Sequence, residues 1–223
     1  MATEAPLPRL RQESLADRAY AELKEAILGG RFEPGASMAE VELAEALGIS
    51  RTPVREALAL LRRDGLIEST PGGTSVVRVL EPGEVRELFL IREALECLAL
   101  REHIKGDAVH RDGKALSALV ERQRKAAAKG DVVAFLEADE EFHLTVCHEA
   151  GLEHVAELLA SLREKMRQAG LRAVTEPDRM KKVLREHERI VKALRAGDGE
   201  AAADALQTHL GATQRAFDAV SNR

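Results

Sequence analysis

Residues 49–67 read ISRTPVREALALLRRDGLI. Val54, Ala57, Leu58 and Leu61 recur at helical spacing and fall on one face. Ser50 or Thr52 can cap the start of this helix, Pro53 suits its first turn, and Gly65 marks its end. The other face is basic. Arg51, Arg55, Arg62 and Arg63 stand against one acid, Glu56, so residues 50–63 carry 4 − 1 = +3. The whole chain has the opposite sign, with 33 basic and 38 acidic residues and a net charge of −5.

Upstream, Leu15, Ala19, Leu23, Ala26 and Ile27 predict a helix over 14–28. Ser14 and Asp17 form a capping-box pattern, and Gly29-Gly30 ends the helix. Ser37-x-x-Glu40 is a second capping-box pattern, opening a short helix through Leu43 and Leu47 that stops at Gly48. Downstream the period changes. Leu66–Ser69 and Ser75–Val79 read as short strands, and residues 70–74, TPGGT, as the loop between them. Three short helices followed by a small hairpin make a winged helix-turn-helix.

In that fold the third helix approaches base edges in the major groove with its N-terminal end. Arg51 and Arg55 lie four apart and project from the same side, where arginine can pair bidentately with guanine. Ser50 and Thr52 are placed for phosphate contacts. Gly72 and Gly73 let the wing backbone approach DNA without an intervening side chain. A solvated helix face would give the same four arginines, but the order of elements favours DNA reading. Residues 1–78 hold ten bases and twelve acids, so basic charge is concentrated on one element rather than spread over the domain.

Glu81-Pro82-Gly83 is the expected boundary. Beyond it helical spacing predicts six helices, near 82–105, 111–129, 131–148, 151–170, 177–196 and 198–219. The breaks fall at Gly106-Asp107, Gly130-Asp131, Gly151, Glu176-Pro177 and Gly197-Asp198-Gly199. Short connections imply an antiparallel bundle. The expected organisation is a flexible arm over 1–13, a winged helix-turn-helix over 14–79 and an all-helical domain over 80–223, a mainly α fold. Aromatic residues make up 3%, which leaves little for stacking on single-stranded nucleic acid. Two cysteines exclude a disulfide scaffold and Cys-rich zinc modules. No apolar run approaches the ~18 residues of a membrane span, and the N-terminus lacks an apolar signal region. The expected location is cytoplasmic.

Within the helical part, Asp139 and His143 share a helix face, an arrangement that serves an ion pair or a metal. His187 keeps phase with Val183, Leu184, Ile190 and Leu194, and His209 is near phase with Leu206 and Leu210. Each alone could be an ordinary core histidine. Arg92 is in phase with Leu88, Leu95 and Ala99, so it must be paired where it is buried. Glu96, one turn on, is one partner, and a bound carboxylate is another. Cys97 and Cys147 fit apolar faces as packing residues.

Residues 49–58, ISRTPVREAL, with 61–67, LRRDGLI, and the lead-in 29–36, GGRFEPGA, resemble the GntR family of bacterial transcription regulators over about residues 14–78. The remainder resembles the FCD domain of the FadR subfamily, and six helices rather than seven are similar to its VanR-like branch. The resemblance implies DNA contacts at residues 50, 51, 52 and 55. The wing departs from the family in lacking a basic residue in its loop. Asp139-x-x-Phe142-His143, Glu186-His187-x-x-Ile190 and His209-Leu210 match metal-binding FCD domains. By resemblance the ligands are Asp139, His143, His187 and His209. Zinc is the expected ion, with nickel or manganese as alternatives, and Arg92 is expected to contact an effector. The implied function is a homodimeric, ligand-responsive regulator, a repressor on a palindromic double-stranded operator, sensing a small organic acid at the metal. A metal-only sensor is the alternative. A metal-dependent hydrolase is a weaker one, because no nucleophile motif, glycine-rich phosphate loop or general base is identifiable. The chain is not expected to be an enzyme.

Overall fold

Backbone chemistry already visible in the sequence sets the first elements of the computed structural model, which describes residues 14–106, 113–174 and 178–221. The expected arm, His110 and the Glu176-Pro177 break lie outside the described residues. The chain divides into two compact units, one ending at Val79 and the other beginning at Leu80.

The first unit runs α1 (Leu15–Leu28), α2 (Glu40–Leu47), α3 (Arg51–Arg63), β1 (Ile67–Ser69) and β2 (Ser75–Val77). Ser14 caps α1 through a reciprocal capping box: its hydroxyl accepts from Asp17 N, and Asp17 accepts from Ser14 N. The buried stripe of α1 passes through Ala16, Ala19, Leu23, Ala26 and Ile27. Leu15, expected on that stripe, is 52% exposed. At 3.6 residues per turn, Ala16 lies nearer the centre of the stripe than Leu15 does.

The expected capping role of Ser37 is also corrected. The N-cap of α2 is Ala39, with no side-chain cap, and Ser37 forms an antiparallel bridge with Val76. Gly35 N donates to Val77 O, Val77 N to Ala36 O and Met38 N to Ser75 O. This short extended segment adds an edge to the wing and buries Met38, so Ser37 cannot reach the helix start. Gly48 ends α2 at φ +65°, a left-handed conformation that favours glycine in the tight turn into α3. β1 and β2 are antiparallel, with Ile67 opposite Val77 and Ser69 opposite Ser75. The core of the unit joins Leu23, Ile27, Met38, Leu43, Val54, Leu58, Leu61 and Ile67.

The second unit is six helices: α4 (Pro82–Lys105), α5 (Lys114–Lys129), α6 (Val132–Glu149), α7 (Glu153–Val174), α8 (Arg179–Arg195) and α9 (Gly199–Ser221). α5 turns into α6 through Gly130 at φ +68°, and α5 packs on α6, α8 on α9, and α4 on α9. α7 continues past Gly170, where the sequence suggested an end. A Cβ there would make an ordinary 3.6 Å contact with Leu136 Cδ2, and the helix runs through Gly170 without a left-handed turn to stop it. Phe135, Phe142, Leu159, Ile190, Leu194 and Leu206 anchor the core. No helix among the described residues is long and apolar enough to cross a membrane.

Leu61, fully buried where α3 meets the core of the first unit, tests this packing. Leu61→Ala should lower stability by about 2–5 kcal/mol, measured as the loss of unfolding free energy in a urea titration.

Candidate nucleic-acid face and metal centre

On α3, apolar periodicity turns Val54, Ala57, Leu58 and Leu61 inward, which leaves Arg51, Thr52, Arg55, Glu56, Arg62 and Arg63 exposed. Ser50 is the N-cap and makes no side-chain capping bond. Arg51 and Arg55 share one acceptor, Glu40 at the start of α2. Arg62 instead donates to Ser75 Oγ at 2.9 Å, which ties α3 to β2. Gly72 and Gly73 sit at the exposed wing tip. Gly73 adopts φ +81°, and its N donates to Thr70 O. Ser50, Arg51, Thr52, Arg55 and the two wing glycines are therefore all on the surface of the first unit.

In the second unit, three helices bring four ligand-type side chains together. Asp139 and His143 come from α6, His187 from α8 and His209 from α9. One donor atom from each lies within 4.8 Å of all the others. The three histidines are at most 2% exposed. Asp139 Oδ2 is 3.8 Å from His143 Nε2, and its Oδ1 is 3.6 Å from His187 Nε2.

Each imidazole is oriented through its other nitrogen. His143 Nδ1 meets Glu96 Oε2, His187 Nδ1 meets Gln123 Oε1 at 2.8 Å, and His209 Nδ1 meets Glu186 Oε2 at 2.7 Å. Burial disfavours the charged form of Glu96, but Arg92, His143 and Arg163 outweigh it and hold the carboxyl well below its usual range. Burial likewise opposes ionisation of Glu186, and the His209 and Arg179 hydrogen bonds outweigh it. Ionised carboxylates only accept, and Gln123, whose Nε2 donates to Asp139, offers its amide oxygen, so the Nδ1 atoms carry the protons. Burial also pushes His143 down to about 4 and His187 well below its usual value. At neutral pH these two imidazoles are uncharged, and each turns a bare Nε2 inward, as a metal ligand must. Neither Nε2 has a hydrogen-bond partner. Burial raises the Asp139 carboxyl, but the Arg163 guanidinium beside it pulls the other way and the carboxyl stays ionised. These donors fit a divalent ion.

Beside the cluster lies a cavity of about 70 Å³, lined in part by Asp139, His209 and the arginines at 92, 163, 167 and 179. A single water needs about 10–15 Å³ of such space, so the cavity takes a small molecule. Arg92 pairs with Glu96 at 2.8 Å, as spacing suggested, yet its Nη2 has no partner. Arg163 pairs with Asp139, but its Nε and Nη1 are unpartnered. Arg179 grips Glu186 with both Nη atoms and reaches Thr213, and its Nε is unpartnered. Among the described residues, buried side-chain polar atoms without a hydrogen-bond partner fall on Arg92, Arg163, Arg179, His143 and His187, with His103 the only other residue. The unsatisfied groups are thus concentrated at this site.

Sequence reading missed Arg163, Arg179, Gln123 and Glu186. The signal for two of them was present. Arg163 keeps helical phase with Leu159 and Met166, and Gln123 with Leu119, Val120 and Ala126, all buried. Cys97 and Cys147 are buried free thiols.

The sequence profile of the bacterial regulatory proteins, gntR family, matches residues 15–77, and that of the FCD domain matches residues 87–212. The chain is 32% identical over 210 residues to the "Probable D-xylose utilization operon transcriptional repressor" of Paenarthrobacter nicotinovorans, covering 94% of this chain and 91% of the relative. It is 28% identical over 194 residues to the HTH-type transcriptional repressor RspR of Escherichia coli, covering 86% and 83%. Among solved structures, a GntR transcriptional regulator from a Rhodococcus species superposes with a TM-score of 0.78 at 26% identity, covering 92% of this chain and 97% of that one.

Burial pushes the Cys97 thiol up to about 11 and the Cys147 thiol up to about 12. The thiolate is the reactive form. Both cysteines should therefore resist a thiol reagent at pH 8 in the folded protein and react fully in denaturant, read by absorbance of the released chromophore.

Proposed function

We propose that this chain, which belongs to the GntR family of bacterial regulatory proteins and carries an FCD domain, is a ligand-responsive repressor sensing a small organic acid at a divalent-metal site. One observation carries the reading: a buried cluster of three imidazoles and a carboxylate opens beside a cavity where guanidinium N–H groups lack partners. Asp139, His143, His187 and His209 would hold the ion. Nitrogen and oxygen donors of this kind suit zinc, with nickel and manganese as alternatives. A bound ion supplies positive charge and open coordination positions for an acid's oxygens.

The charge inventory supports an anionic effector. Arg92, Arg163 and Arg179 are matched by Glu96, Asp139 and Glu186, while His143 and His187 are neutral. Arg167 in turn meets Glu137 and Glu140, so each arginine of the cavity has an acid beside it, and a divalent ion would add positive charge for a ligand anion to offset. Arg92 Nη2, Arg163 Nε and Nη1, and Arg179 Nε are the donors available to a carboxylate. The effector regulates only through unequal affinity for the DNA-competent and DNA-incompetent states.

On DNA, Arg51 and Arg55 are assigned to base edges, Ser50 and Thr52 to phosphates, and Gly72-Gly73 to the wing contact. Two relatives are named as repressors, which favours that sign. A homodimer on a palindrome follows from helix-turn-helix docking. The outward face of α4 is consistent with a pairing surface, since Leu90, Ile91 and Leu98 are exposed there.

Two measurements check the reading. The first is a thermal-shift series with small mono- and dicarboxylic acids on zinc-loaded and chelator-stripped protein. An acid at 100 times its Kd should add about 2.7 kcal/mol to the loaded form only, and Arg92→Ala should abolish the shift. If zinc alone stabilises the protein and alters DNA affinity while every acid is silent, the metal-only sensor replaces this proposal. The second uses a duplex selected from a random library by the protein itself. Arg55→Ala should cost about 1–3 kcal/mol and relax sequence preference, measured by fluorescence anisotropy. An equal loss on every sequence would reassign Arg55 to a phosphate.

A further inference from the structure

Glu40 is an acid on the face assigned to a polyanion. It opens α2 and meets both arginines of α3 expected to touch DNA. Arg55 Nε donates to Glu40 Oε1 at 3.1 Å and Arg55 Nη2 to Glu40 Oε2 at 2.9 Å, a bidentate fork. Arg51 Nη2 approaches Glu40 Oε2 at 3.3 Å. The arginine side chains are 59% and 65% exposed. Exposed ion pairs contribute little to folding, so stability does not explain a carboxylate that lowers the attraction of this face for phosphate.

Geometry offers an explanation. A guanidinium has two bidentate edges: a side edge made of Nε and one Nη, and an end edge made of the two Nη atoms. Glu40 occupies the side edge of Arg55. The end edge is left facing away, with one proton of Nη2 and both of Nη1 not used by Glu40. Two parallel bonds fix the plane of the guanidinium, and a fixed plane is what in-plane pairing with guanine O6 and N7 requires. The same carboxylate cancels part of the charge that would otherwise hold Arg55 to any phosphate.

We propose that Glu40 is a positioning residue for DNA recognition: it orients the Arg55 guanidinium for base reading and suppresses its sequence-independent attraction to the backbone. This rests on the reading that Arg55 contacts a base. Glu40 acts through Arg55 and Arg51 and touches no DNA itself. Glu40→Gln keeps the size and one acceptor but removes the charge and the second strong acceptor, so it separates orientation from packing.

The test uses the full-length protein, the duplex selected by the wild-type protein from a random library, and a scrambled duplex of equal length. Dissociation constants are measured by fluorescence anisotropy at several salt concentrations. Glu40→Gln should weaken binding to the selected duplex about tenfold, within the range of one lost bidentate base contact. Binding to the scrambled duplex should hold or tighten, with a salt dependence at least as steep. In an Arg55→Ala background, Glu40→Gln should no longer change the ratio of the two affinities, because the pair acts as a unit. A thermal melt matching wild type confirms that the variant is folded, and Glu40→Asp provides a second variant should Glu40→Gln unfold. Equal tightening on both duplexes would reduce Glu40 to a charge effect and overturn the proposal. So would unchanged affinities for both. If Arg55→Ala leaves the selected duplex unaffected, the base-reading assignment of Arg55 fails first, and that failure is visible without any Glu40 variant.

Discussion

Each histidine of the buried cluster is held at Nδ1 by an oxygen from another helix, and the arrangement of the second unit depends on that constraint. Glu96 reaches from α4, Gln123 from α5 and Glu186 from α8 itself. These three are fixed in turn by Arg92, Asp139 and Arg179. The network therefore sets the relative rotation of α4, α5, α6, α8 and α9, as well as the tautomers of the rings. Phe142 adds a flat wall, stacked on His187 at 4.1 Å between centroids. A partly satisfied network in an apolar bundle is costly, so each bond that this polar chain closes favours the observed packing.

The same pair of chemical groups has different consequences in the two units. In the second, arginine and carboxylate are buried together, and removing one leaves an uncompensated charge in a medium of low dielectric. In the first, Glu40 and its arginines are exposed, water screens them, and their geometry matters more for what the guanidinium can present than for stability. The apolar core of the first unit, through Val54, Ala57, Leu58 and Leu61, holds α3 without calling on Arg51 or Arg55. The basic face is thereby free to be used for recognition.

Much of the fold was legible because it lies in periodicity. The change from a 3.6-residue to a two-residue repeat after Gly65 marked the wing, and the Ser14–Asp17 cap was visible as a pattern. Leu15 and Ser37 were misread for different reasons. Leu15 sits at the edge of a stripe where a rotation of tens of degrees decides burial. Ser37 is claimed by a bridge to Val76, a residue far along the chain, and local patterns carry no information about such partners. The site divides in the same way. Spacing put Asp139 and His143 on one face and gave His187 an inward phase, but their meeting with His209 was implied only by family resemblance. Sequence specifies which side of a helix is apolar, not how far one helix slides along the next. Glu186 stood in the Glu186-His187-x-x-Ile190 pattern without a role of its own, which appears only once Arg179, two turns back, and His209, on the next helix, meet its carboxylate.

On the proposed function, the unsatisfied groups of the site are what a metal and an acid would bind. A buried donor or acceptor without a partner costs about 1–3 kcal/mol, and a bundle able to satisfy Gln123, Glu96 and Glu186 had the means to satisfy more. The bare Nε2 atoms and the idle guanidinium N–H groups persist because their neighbours are already committed: Glu96 to Arg92 and His143, Glu186 to Arg179 and His209, Asp139 to Arg163 and Gln123. A group from outside can pair them: a cation suits the bare imidazole nitrogens, and an anion suits the guanidinium groups. A cation and an anion bound side by side meet both demands. On the proposed function, each would make the other's burial less costly, and metal and acid binding would be coupled through charge.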